Sequence, residues 1–90
     1  MAFKITEVKL SSGGYKEEHI IEVKGVSDSG SAFHETVKQV VGYLATYRYY
    51  VSIRGNTIDV ITQKSSAGND YIRTKPDGTT TDNLLSLPRF

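Results

Sequence analysis

Apolar and polar positions alternate from the first residues. In FKITEVKL, Phe3 and Ile5 fall on one face and Val8 and Leu10 on the other. Such a phase slip predicts a first strand with a bulge, or one covered on both sides. SSGGYKEE is polar and glycine-bearing, which predicts a connection. HIIEVKGV predicts a second strand with Ile21 and Val23 on one face, forming a hairpin with the first. SDSGS predicts a turn and a helix start, with Ser29 or Ser31 as N-cap. Across AFHETVKQVVGYLATY, the residues Phe33, Val37, Val40, Val41 and Leu44 recur at helical spacing and predict one amphipathic helix. Gly42 inside that stretch costs about 1 kcal/mol relative to alanine.

YYVSIRGNTIDVIT predicts a hairpin, with two alternating runs flanking a Gly55–Asn56 loop. That loop sets Arg54 opposite Thr57, Ile53 opposite Ile58 and Val51 opposite Val60. The two apolar pairs share the core face. The second face then carries Arg48, Tyr50, Ser52, Arg54, Asp59 and Ile61, with Tyr50 opposite Ile61. A face meant to be wet rarely carries such a pair. QKSSAGND predicts a loop, and DYIRT a short strand with Ile72 inward and Tyr71 and Arg73 outward. KPDG predicts a turn, and TTT a short returning strand.

The pattern predicts one α+β domain over residues 1–90, an antiparallel sheet of about five strands with one amphipathic helix packed on one face. The opposite face needs a cover. Leu84, Leu85 and Leu87 are the candidates, as an apolar strap on the chain's own sheet or on a neighbour's.

The last twenty residues, YIRTKPDGTTTDNLLSLPRF, add a resemblance. Tyr71, Arg73 and Thr74, then Pro76-Asp77-Gly78, then Asp82-Asn83-Leu84 and Leu87-Pro88 resemble the C-terminal signature of a small bacterial family, domain of unknown function 3892. Ile72 stands where leucine is usual. The order of opening strand, second strand and helix is also similar, so the likeness spans most of the chain. It implies a compact stand-alone domain with a recurring tail, and no chemistry.

Composition narrows the function classes. The net charge is +1, so no bulk electrostatic pull toward nucleic acid or a membrane is expected. The chain has no cysteine, which removes disulfides, thiolate catalysis and cysteine-based zinc sites. No apolar run approaches the ~20 residues of a membrane span. The opening segment lacks a signal-peptide core. Size and style fit a small cytoplasmic protein of bacterial or phage type. His19 and His34 fall in different elements, so structural roles are expected, with no metal site and no cofactor. No serine elbow is present. Glu17 and Glu18 are adjacent, so on a strand they point apart and make a poor acid/base pair. The expectation is a protein that is not an enzyme.

The arginines lie entirely in the second half (Arg48, Arg54, Arg73, Arg89), whereas every glutamate lies in the first 35 residues. The candidate binding or interface residues are therefore Arg48, Tyr50, Arg54, Ile61, Tyr71, Arg73, Asp82 and Asn83. Interleaved arginine and tyrosine suit protein interfaces. They also suit stacking on bases and pairing with phosphates. The expected function is non-enzymatic binding or self-association as a homodimer through the helix-free sheet face and the tail. One alternative is binding or sequestration of a small anionic aromatic ligand such as a nucleotide. A second is weak nucleic-acid binding, although near-neutral charge argues against long nucleic acid. Asp82 and Asn83 also have a plain reading as turn formers.

Overall fold

The computed structural model describes residues 2–53, 55–75 and 84–90. Arg54, the PDG of the predicted turn, the TTT segment, Asp82 and Asn83 lie outside the described residues.

The described chain is α+β, with one six-stranded sheet and one α-helix. The strands are β1 (Ala2–Leu10), β2 (Ile20–Ser27), β3 (Ala32–Thr36), β4 (Arg48–Ile53), β5 (Asn56–Lys64) and β6 (Asp70–Thr74). The helix α1 is Val37–Tyr43, and short 3-10 helices form at Glu17–His19 and Leu84–Ser86. The sheet order is β3-β2-β1-β4-β5-β6.

The sheet is mixed, not purely antiparallel, and it has six strands, not five. β1 and β4 are parallel, with Ala2–Lys4 aligned on Arg48–Tyr50. Joining parallel neighbours requires a crossover, and β2, β3 and α1 supply it. The sixth strand comes from the start of the predicted helix. Ala32–Thr36 pairs antiparallel with β2, from Val26 opposite Ala32 to Glu22 opposite Thr36. Phe33 and Val37 are four apart, so their spacing suits a helix even though the helix begins only at Val37. A capping box decides the boundary. Thr36 Oγ1 accepts from the Gln39 backbone N–H at 3.2 Å, and Gln39 Oε1 accepts from the Thr36 N–H at 2.8 Å. Ser29 and Ser31 cap nothing; they join Ser27 in a hydroxyl network within the β2–β3 turn.

The predicted bulge in β1 is present. The β1–β2 register shifts between Ile5 and Glu7, so Ile5 and Val8, three apart, both point into the core. A second shift pairs Leu10 with Ile20. Ile21 therefore faces solvent at 41% exposure while Ile20 and Val23 are buried, so Ile21 and Val23 do not share a face as expected. In the β4–β5 hairpin Ile53 pairs with Asn56, so Asn56 belongs to the strand and Gly55 takes the left-handed position at φ 79°. Val51 consequently faces Ile58 instead of Val60. A slip of two positions preserves the faces, and Val51, Ile53, Ile58 and Val60 are all buried. Ile72 points inward as expected.

The helix α1 touches β6 at one end of the strand order and β2 and β3 at the other, so the sheet curls around it. Val37 and Val40 enter this concave side. Phe3 stacks on Tyr49 at 5.0 Å and meets Phe33 and Tyr47 edge-on. Gly25 makes room for that cluster. A Cβ there would lie 1.9 Å from the Lys4 carbonyl oxygen and 2.8 Å from the Phe33 ring.

Candidate functional site

The tail completes the core. Leu84 is fully buried and Leu87 nearly so, and both join the cluster around Ile5, Val8 and Val40. The reason lies in β1. Its pairing with β4 ends after Lys4, so among the described residues its later part has no strand neighbour on that edge. Val8 donates to the Pro88 carbonyl at 3.0 Å and accepts from the Phe90 N–H at 3.2 Å, a parallel bridge that fills the gap. The Phe90 ring then lies under Lys24 Nζ at 4.5 Å and against the His34 edge at 5.3 Å. Of the three leucines expected to cover the helix-free face, Leu84 and Leu87 thus enter the core on the chain's own fold while Leu85 packs at its margin, because an unfilled wedge beside β1 would leave buried backbone groups unpaired.

On the helix-free face the register aligns one row across five strands: Ala32, Val26, Lys4, Tyr50 and Asp59. Tyr50 faces Asp59, not Ile61, following the shifted hairpin; Ile61 faces Arg73 instead. Arg48 donates from Nε and Nη2 to Asp59 Oδ1, each at 2.7 Å, and its guanidinium lies 5.0 Å over the Tyr50 ring. Arg48, Tyr50, Ile61 and Arg73 therefore share one face. The charge of Arg48 is already met by Asp59. Tyr71 sits further along β6, beside Gln63. It lines a cavity of about 340 Å³ with Tyr15, Lys16, Glu17, Glu18 and Leu85. An adjoining cavity of about 270 Å³ shares Glu18 and Tyr71 and adds His19, Asp70 and the Ser65–Asn69 loop.

Sequence reasoning missed Glu17. It lies in the Glu17–His19 3-10 helix, not on a strand, and that helix packs on β6. Burial pushes its carboxyl above the usual carboxylate range; Arg73 and backbone hydrogen bonds from Thr74 and Leu84 offset only part of this. Its Oε2 is buried without a hydrogen-bond partner among the described residues. Glu17 ties the outer edge of β6 to the first turn of the tail's 3-10 helix. No periodicity marks such a residue; only the fold brings Thr74 and Leu84 to it. Tyr49 was missed as well. Its hydroxyl donates to Glu35 Oε1 at 2.6 Å, and burial followed by that bond raises the phenol far above its ordinary range.

His19 ends the 3-10 helix, and His34 lies mid-β3, where its Nε2 meets Glu22 Oε1 at 2.5 Å. Among the described residues no three His, Asp or Glu side chains gather to hold a metal ion, and no helix is long and apolar enough to cross a membrane.

The signature residues that are described converge: Thr74 and Leu84 on Glu17, Arg73 facing the same carboxylate, Leu87 in the core and Pro88 on Val8. The family model described as "Protein of unknown function (DUF3892)" matches residues 4–88. The chain belongs to this family. The DUF3892 tail is thus, in this member, a structural element that closes the sheet. No curated protein and no solved structure matches the chain significantly.

Proposed function

We propose that this chain is a non-enzymatic binding module that forms a homodimer through the sheet face turned away from α1. The observation that carries this reading is the composition of that face once the tail is committed to the core. Val26 is 38% exposed there, and Tyr50 and Ile61 are half-buried among Lys4, Arg48, Asp59 and Arg73. Aromatic and arginine anchors beside aliphatic surface are the residue types enriched at interfaces. The Arg48–Asp59 pair leaves little uncompensated charge at the centre of that face, so two copies related by a two-fold axis can meet there without like-charge repulsion. We place the protein in the cytoplasm on its small size and ordinary globular composition.

The test is sedimentation equilibrium on the parent and on a Tyr50→Ser, Ile61→Thr double variant. The parent should sediment as a dimer and the variant as a monomer with an unchanged circular dichroism spectrum. A monomeric parent, or an unaltered dimer in the double variant, refutes the proposal.

A further inference from the structure

Neither tyrosine-lined cavity carries a ligand assignment, because its charges are largely matched within the chain. Glu17 faces Arg73, Asp70 holds Lys64 at 3.0 Å, and Lys16 Nζ lies over the Tyr15 ring at 5.6 Å. The unusual group at this place is His19. Its Nδ1 accepts from the backbone N–H of Tyr15 at 3.0 Å and of Lys16 at 3.2 Å. It reaches back to the N-cap backbone N–H, the half of a capping box that glutamate or glutamine ordinarily supplies at this helix position, while Lys16 has no side-chain acceptor to return the bond. Those carboxylate or amide oxygens accept a hydrogen bond at any pH near neutrality. An imidazole does so only while Nδ1 is unprotonated, so this geometry assigns the neutral tautomer with its proton on Nε2.

We propose that His19 is a proton-operated latch: when neutral it caps the Tyr15–Lys16 backbone and holds Glu17 against β6 and the tail, and when protonated it releases both. Protonation replaces the acceptor by a third donor facing two N–H groups. The 3-10 helix Glu17–His19 then loses its cap, and Glu17, two residues earlier in the same turn, loses its fixed position beside Thr74 and Leu84. The groups around His19 define where the imidazolium turns. From its own loop come the Tyr15 ring, edge-on at 5.3 Å, with Lys16 and Glu18. From β6 come Asp70 and Tyr71 across the 270 Å³ cavity. The Ser65–Asn69 loop contributes no charge. Glu18 and Asp70 are the acceptors an imidazolium would find there. Protonation of Glu17 acts in the opposite sense, since burial already disfavours its charged form.

The test is amide hydrogen exchange on the full ¹⁵N-labelled chain, corrected for intrinsic rates, at about pH 7.5 and about pH 5. Protection of Tyr15 and Lys16 should fall about fivefold to tenfold at the lower pH, as for the loss of a helix cap. Protection of Thr74 and Leu84 should fall with it, while that of Val51 in the core holds. His19→Gln restores a non-titrating acceptor and should keep high protection at both values; His19→Ala should be low at both. If His19→Ala does not fold, the glutamine variant alone decides. A parent without the fall, or a glutamine variant that falls as far as the parent, overturns the proposal.

Discussion

Replacing Leu84 by alanine tests whether the tail is an integral part of the core. Leu84 is fully buried, and its backbone lies at the Glu17 carboxylate. Leu→Ala at such a site costs about 2–5 kcal/mol, the removed methyl groups plus the cavity left behind. A chain of this length has a total stability of roughly 5–13 kcal/mol, and small domains bury a smaller share of their surface than large ones. One substitution seven residues from the end should therefore remove a large fraction of the folding free energy. In urea the slope for a small domain is about 1–1.5 kcal/mol per molar. A loss of ~3 kcal/mol then lowers the midpoint by about 2–3 M. The control is Leu85→Ala. Leu85 is only partly buried and borders the open cavity, so its midpoint should move by less than half as much. Equilibrium unfolding followed by far-ultraviolet circular dichroism reads both. If the Leu84 variant unfolds at the same urea concentration as the Leu85 variant, the tail is not docked in the core as described.

Two further substitutions probe other contacts. Gly25→Ala would ordinarily gain about 0.5–1 kcal/mol in a strand, yet here the new methyl meets the Lys4 carbonyl oxygen, which cannot rotate away. It should lose at least the ~1–3 kcal/mol of an overpacked core, or roughly 10 °C in melting temperature; an equal or higher melting temperature refutes this. For Glu17→Gln the prediction is a slope with pH. The folded state holds the carboxyl above its unfolded value near 4.5, so the parent is favoured while that group is protonated and loses this advantage as pH rises through the two values. Glutamine does not titrate. The melting temperature of the variant minus that of the parent should rise between about pH 4 and about pH 7, and a flat difference would remove the assigned burial.

Much of the candidate face was legible because strand alternation is local. Val51 and Ile53 share one side of β4, and Ile58 and Val60 share one side of β5; any register that buries both sets together leaves Arg48, Tyr50 and Ile61 on the other side. The pairing within that side was not legible. The partner of Tyr50 depends on which residue of the Gly55 turn takes positive φ, and the step from Ile61 to Asp59 follows from that one position. The Thr36–Gln39 capping box was present in the sequence as T-x-x-Q. The helical spacing of Phe33 with Val37 masks it, because the last strand residues and the first helical turn fit one periodic pattern.

Hydrophobic periodicity by itself determined that this chain is α+β, that β4 and β5 form a hairpin and that Ile72 points inward, and it narrowed β1 to a bulged strand or one covered on both sides. Each follows from the geometry of a few neighbouring residues. The parallel β1–β4 pair, the curl that brings β6 to α1, and the seat of the tail were decided only by tertiary structure. They join segments separated by tens of residues, as when Val8 meets Pro88 and Phe90. Such contacts form because buried backbone groups and apolar side chains must find partners somewhere in the folded molecule. Glu17 shows the same division. Its neighbours in the chain mark it as a solvated glutamate, and only the fold surrounds it with Arg73, Thr74 and Leu84.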